Sequence, residues 1–262
     1  MGTRVRILIH LKNIIMNKLK QIKIILILFA VLFLSSCKKE NSCDCFKRTG
    51  TIVTVDREVS GFDKLFIEDN LNVYITQDSV FDVKIESGEN LISLIKTEVT
   101  ADGTLFIRNK NRCNWTRSYD KPFNVYVTMP VLNFLTSDGT GNIKSLNAIT
   151  TPYLEIQTKN SGDVELVVNN SKITSHMHGS GDLTLHGHTF DHACDIGGTA
   201  FLNCKDLVTN YTYLHTFTTG LCYVTSKGTL DCKIDKIGDV YCYGNPLVVQ
   251  KVATGKGQLY LK

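Results

Sequence analysis

The sequence predicts an all-β fold: a right-handed, parallel β-helix-like solenoid with rungs of about 19 residues, preceded by a less regular β part. Three observations carry this. From Thr51 onward, short alternating runs are separated by Gly, Asn, Asp, Ser and Thr turns, with no sustained 3.6-residue period. A glycine corner recurs at Gly141, Gly162, Gly181, Gly198, Gly220, Gly238 and Gly257, at intervals of 21, 19, 17, 22, 18 and 19 residues. Side chains alternate faces along a strand, and the positions two and four after the last six glycines are all apolar or cysteine. They are Val164 and Leu166, Leu183 and Leu185, Ala200 and Leu202, Cys222 and Val224, Val240 and Cys242, and Leu259 and Leu261.

Composition agrees. Of 262 residues, 43% are hydrophobic and 21% charged, which excludes a disordered, collagenous or coiled-coil chain. The formal charge of +4 comes from one end. The first 36 residues hold Arg4, Arg6, Lys12, Lys18, Lys20 and Lys23 and no acid; removing those six leaves 23 basic against 25 acidic residues, net −2. That balance gives no electrostatic case for nucleic acid.

Residues 1–36 read as a lipoprotein signal peptide. Lys18, Lys20 and Lys23 precede eleven apolar residues, Ile24 to Leu34, too few to span a bilayer but suited to a signal peptide core. The run ends in Leu34-Ser35-Ser36-Cys37, which resembles a bacterial lipobox and makes Cys37 the expected lipidation site and first mature residue. Met16 to Cys37 is a complete signal alone, so Met16 is an alternative start. Several acyl chains hold a protein firmly on a membrane surface. Residues 37–50 follow as a polar, lipidated tether, and residues 51–262 as the solenoid domain.

Between residues 57 and 135 the alternation continues without the repeat, through Leu65, Ile67, Val73, Ile75, Val83, Ile85, Leu105, Ile107, Val125 and Val127. A polar interruption from Asn109 to Lys121 carries Arg112 and Arg117 around Trp115, and reads as a solvated hairpin or a binding loop. In the repeat, a second and looser inward column falls eight residues before the glycines: Leu154, Ile173, Phe190, Thr212, Leu230 and Val249.

The outward positions differ. Three residues after the last four glycines stand Phe201, Tyr223, Tyr241 and Tyr260, an expected external row of aromatics. Such a row is a docking strip for sugar or protein, or a set of cross-strand pairs that support the sheet. His176, His178, His186 and His188 are weak metal candidates. A His-x-His pair shares one strand face and imidazole suits Zn or Cu, but the two pairs flank a corner glycine and should lie on different faces. No metal or cofactor is expected. Asp163, Glu165 and Asp182 form the one acidic group on adjacent rungs, and no nucleophile elbow occurs. Cys194, Cys204, Cys222, Cys232 and Cys242 fit the rung spacing as small buried hydrophobes; the pairing of these and of Cys43, Cys45 and Cys113 stays open.

Several runs carry a family resemblance: Val59 to Leu65 (VSGFDKL), Val99 to Leu105 (VTADGTL), Val125 to Pro130 (VYVTMP), the Ser-Gly-Asp corners, and Gly238 to Pro246 (GDVYCYGNP). Together they resemble the head GIN domain of adhesin-like lipoproteins and secreted proteins common in Bacteroidetes, over roughly residues 57 to 258. The resemblance implies a β-solenoid and an outer-envelope location, and supplies no catalytic residues. The expected function is a non-catalytic, lipid-anchored, adhesin-like binding protein of the outer membrane, on its periplasmic or surface face, with a glycan or cell-surface protein as partner. The alternatives are a carbohydrate-processing enzyme on the same fold and an envelope regulatory or sensing module.

Overall fold

In the computed structural model of the chain, the described residues are Lys20, Gln21, Lys23, residues 48–112 and residues 123–262. The chain divides into two compact units, Met1–Phe46 and Lys47–Lys262. In the first, Lys20, Gln21 and Lys23 are helical and exposed. Cys37, Cys43, Cys45, Cys113, Trp115 and Arg117 lie outside the described residues. Among the described residues, no helix is long and apolar enough to cross a membrane.

The second unit is built of strands. Its irregular part holds β1 (Ile52–Arg57), β2 (Lys64–Asp69), β3 (Asn72–Gln77), β4 (Asp82–Gly88), β5 (Ile95–Val99), β6 (Thr104–Asn109) and β7 (Asn124–Met129). The repeat holds β8 (Phe134–Gly139), β9 (Ile143–Ile149), β10 (Tyr153–Thr158), β11 (Val164–Gly179), β12 (Leu183–Gly198), β13 (Leu202–Thr218), β14 (Cys222–Ile234), β15 (Val240–Tyr243), β16 (Val248–Ala253) and β17 (Leu259–Leu261).

These strands make two walls around one core. The first runs β1, β4, β7, β3, β9, the leading halves of β11 to β14, then β15 and β17. The second runs β5, β6, β2, β8, β10, the trailing halves of β11 to β14, then β16. Strands β11 to β14 serve both walls because one rung passes from the first to the second, with register shifts at the bend in the β12–β13 and β13–β14 ladders.

Alternation fixes which side chains meet. One inward column of the first wall stacks Ile85, Val125, Val73, Ile143, Val164, Leu183, Leu202, Cys222 and Val240 in register, and every member is buried. Each such aliphatic side chain withdrawn from water contributes about 2 kcal/mol. All five described cysteines are buried free thiols inside the stack.

The parallel repeat gives way to a cap at its N-terminal end. β6 and β8 flank β2, and β7 and β9 flank β3. The β6–β7 rung therefore stacks outside the β2–β3 rung that precedes it in sequence, and the chain then crosses to the other side to begin β8. Antiparallel β4 and β5 close this end against β1, β7 and β6. At the other end, β16 is exposed throughout, and Lys251 occupies the position that Cys232 fills in the rung before it. A lysine on the inward face of an edge strand discourages further pairing.

Three expected inward residues are corrected. Phe190 is 55% exposed, and His192 takes its column place, paired with Ile173 and Thr212. The cause is a shifted corner. Gly198 packs over the Gly179 carbonyl, while Ala200 takes the place of Gly181: its carbonyl lies under Gly220, as that of Gly162 lies under Gly181. Counting back from Ala200 gives His192. Val249 and Leu261 sit on the last strands, and Leu261 is 58% exposed.

Candidate functional site

The outward face of the first wall carries one continuous row. In ladder order it reads Tyr126, Tyr74, Lys144, Glu165, Thr184, Asn203, Tyr223, Tyr241 and Tyr260. The tyrosines stack along it. Ring centroids are 5.2 Å apart for Tyr74 and Tyr126, 5.3 Å for Tyr223 and Tyr241, and 5.0 Å for Tyr241 and Tyr260, with interplanar angles of 17° to 20°. This is the separation favoured for aromatic pairs, set by a strand spacing of about 4.8 Å.

Phe201 is not in the row. Leu183 pairs with Leu202 and Asn203 with Tyr223, so Phe201 falls at the corner, level with Asp182, and is 44% exposed there. The same two-residue offset that displaced Phe190 displaces it. In its place the structure adds Tyr74 and Tyr126. Their signal was present in the sequence: Asn72 to Thr76 (NVYIT) and Asn124 to Thr128 (NVYVT) are one pattern used twice, and the two strands lie side by side.

The corners beside the row form a second ladder. Asn72 Oδ1 accepts the N–H of Asn142 (3.2 Å), Asn142 Oδ1 that of Asp163 (3.2 Å), Asp163 Oδ1 that of Asp182 (2.9 Å), and Asp182 Oδ1 that of Phe201 (2.9 Å). Phe201 ends the series because it has no acceptor, and it resumes where Asp239 accepts from Gln258 (2.7 Å). The Ser-Gly-Asp corners thus carry aspartates that bond one rung to the next.

Row and corner ladder together enclose a shallow depression of about 410 Å³ lined by Asn72, Tyr74, Asn142, Lys144, Asp163, Glu165, Asp182 and Thr184 among others. Lys144 bridges to Glu165 at 3.0 Å. The three carboxylates outnumber that one ammonium, so the depression has an acidic balance. Its volume falls within the range of small-molecule sites.

The second wall carries a different surface. His176, Asp195, His215 and Lys233 align across four strands. His215 lies 3.3 Å from Asp195 and 2.7 Å from Asp235, and His176 lies 3.5 Å from Asp195. The Thr254 hydroxyl, with Lys233 and His215, holds the Asp235 carboxyl well below its usual range. The Phe217 ring covers Gly197, beside His178 and His215. His186 is on the first wall, facing Glu165 and Asp206 at 3.8 and 3.6 Å, and His188 is exposed on the bend. The two His-x-His pairs are therefore apart. Among the described residues, no group of three or more His, Cys, Asp or Glu is arranged to hold a metal ion.

Buried groups on the inside are chemically quiet. Burial pushes the Cys222 and Cys232 thiols up to about 12 and raises Cys194, Cys204 and Cys242 as well, so the nucleophilic thiolate is suppressed.

Comparison with known proteins places this architecture. Residues 61–246 match the family described as "Putative auto-transporter adhesin, head GIN domain". Among solved structures, a protein described as a putative adhesin from Bacteroides fragilis is 24% identical with a TM-score of 0.76, covering 81% of this chain and 97% of its own. One from Parabacteroides distasonis, also described as a putative adhesin, is 18% identical with a TM-score of 0.66, covering 81% and 98%. A third, from the same species and described as a putative lipid binding protein, is 19% identical with a TM-score of 0.64, covering 80% and 97%. At these identities the structures establish the shared fold. No curated protein matches.

Proposed function

The chain belongs to the head GIN domain adhesin family, and from that premise we propose that it is a non-catalytic, adhesin-like binding protein held at the cell envelope by a lipid on Cys37. The observation that carries the binding role is the outward tyrosine row on a continuous parallel wall. Tyrosines held by their neighbours present amphipathic area at low conformational-entropy cost. Support for the anchor is in the sequence: three lysines, eleven apolar residues and Leu34-Ser35-Ser36-Cys37. An envelope location agrees with the family, and the near-neutral domain has nothing to recruit it to nucleic acid. The second wall's histidines and the first wall's carboxylates bond largely to their own neighbours, which favours a scaffold over a catalyst.

The test uses the full chain in a bacterial host. Wild type should take up radiolabelled palmitate, fractionate with membranes and retain whole-chain-coated beads on target cells. Cys37→Ala should lose label and membrane retention but keep bead binding, whereas Tyr241→Ala should do the reverse. Unlabelled wild-type protein sinks the anchor; failure of the coated beads to bind any cell surface sinks the adhesin role.

A further inference from the structure

We propose that the first wall binds an uncharged, extended oligosaccharide lying along the solenoid axis, between a platform of Tyr74 and Tyr126 and a platform of Tyr223, Tyr241 and Tyr260. This rests on the binding role proposed above and names its ligand class and site.

The geometry starts from how the rings stand. Within each stack the rings lie nearly parallel and cover one another, so a stack shows its edges outward and its uncovered faces along the axis. Tyr126 covers one face of Tyr74; the other turns toward Lys144 and the depression that Tyr74 lines. Tyr241 covers one face of Tyr223, and the other turns toward Asn203. The faces that no other ring covers therefore turn toward each other along a single row, with Lys144 next to Tyr74 and Asn203 next to Tyr223. Between them stand Lys144, Glu165, Thr184 and Asn203, a span of five strand spacings or roughly 24 Å. That accommodates a chain of several sugars.

The chemistry along that span selects the occupant. A pyranose carries C–H bonds on its ring faces and hydroxyls around its rim. It therefore needs an aromatic face beside polar groups that both donate and accept. Tyr74 supplies the face, and Asn142, Asp163 and Asp182 supply polar groups at one-rung intervals. The corner ladder uses Oδ1 of Asp163 and Asp182. Each Oδ2 therefore remains for a ligand hydroxyl, in a carboxylate whose orientation is already fixed. Anionic glycans are disfavoured because Asp163, Glu165 and Asp182 outnumber Lys144. A peptide is disfavoured for another reason: extended peptides are recognised by adding to a sheet edge. This site is a sheet face, where the wall's backbone groups are spent in ladders.

The test is calorimetric titration of the full chain with cellohexaose, maltohexaose and hexa-N-acetylchitohexaose, with a heparin-derived hexasaccharide as the anionic comparison. At least one neutral sugar should bind and the heparin fragment should not. Tyr74→Ala and Tyr223→Ala should each weaken that binding about tenfold. Asp163→Asn keeps the corner bond, as Asn142 does one rung earlier, and should weaken it severalfold. Phe190→Ala, exposed outside the row, should leave it unchanged. Circular dichroism confirms that each variant is folded. Binding of none of the three neutral sugars, or wild-type affinity in folded Tyr74→Ala, overturns the proposal. Beads that bind cells through a chain that binds none of these sugars leave the adhesin role standing and remove only the oligosaccharide; loss of both removes both.

Discussion

The repeat from Asn142 onward and the part before it use the same inward alternation, but they are held in register by different means. In the repeat, each corner is stacked directly on the corner of the previous rung, and backbone sits on backbone. In the earlier part, the order of rungs in space departs from their order in the chain, and antiparallel β1, β4 and β5 close the end. A repeat specifies register through tight, reiterated contacts; a cap specifies it through individual pairings, some as close as Gly88 over the Thr49 carbonyl and some as open as Gly61.

Glycine substitutions expose this difference most strongly. A Cβ on Gly238 would stand 2.2 Å from the Gly220 carbonyl oxygen, whereas one on Gly61 would meet nothing within 4 Å, although Gly61 has a φ of +76°. Gly238→Ala should therefore cost about 4 kcal/mol, because two rungs must separate to admit one methyl group. Gly61→Ala should cost about 1 kcal/mol, the strain of a left-handed backbone alone. Urea denaturation of the two variants measures both, and equal losses would contradict the stacked-corner account.

A smaller effect comes from His192, a histidine buried in the core of the repeat. His192 is buried in the column between Ile173 and Thr212, with Nε2 3.1 Å from the Ser175 hydroxyl. Burial lowers it from 6.5 to about 4. The unfolded chain thus takes up a proton below pH 6.5 that the native state refuses. Its contribution is constant above pH 6.5; stability falls as pH drops from 6.5 to 4 and levels off below. The loss assigned to this ring is about 3 kcal/mol. His192→Thr, matching Thr212 in the next rung, should flatten that part of the pH profile relative to wild type. Parallel profiles for the two proteins would refute the assignment.

His192 also marks where the sequence stopped being legible. The all-β class, the rung length and the inward columns are local properties, written in alternation and in corner glycines. The rung between Gly181 and Ala200 is not, because Gly197-Gly198 offers a glycine two residues before the true corner. Only stacking against Gly179 and Gly220 resolves it. That one offset moved Phe190 out of the core and Phe201 out of the tyrosine row. The candidate site was half legible: Tyr223, Tyr241 and Tyr260 follow from the repeat. Tyr74 and Tyr126 required knowing that β7 lies against β3, a pairing between strands about 50 residues apart in sequence. No local pattern encodes the crossing that makes Tyr74 a neighbour of Lys144.

The corner ladder offers the finest discrimination between the two parts. Asp163→Ala deletes the acceptor for the Asp182 N–H, and one hydrogen bond at an exposed corner contributes about 1 kcal/mol. Asp163→Asn should recover nearly all of it, since the bond needs an oxygen at that place and not a charge. Asn72 joins the two parts of the chain through the same kind of bond, to the Asn142 N–H, and also donates from Nδ2 to Asn124 Oδ1 at 3.3 Å. Asn72→Ala should therefore lose somewhat more than Asp163→Ala, and Asn72→Asp should recover only part, because a carboxylate accepts from Asn142 but cannot donate to Asn124. Thermal denaturation of the four variants gives the order. If Asp163→Asn proved as damaging as Asp163→Ala, the aspartate would matter for its charge, and the ladder would not explain why the corners carry it.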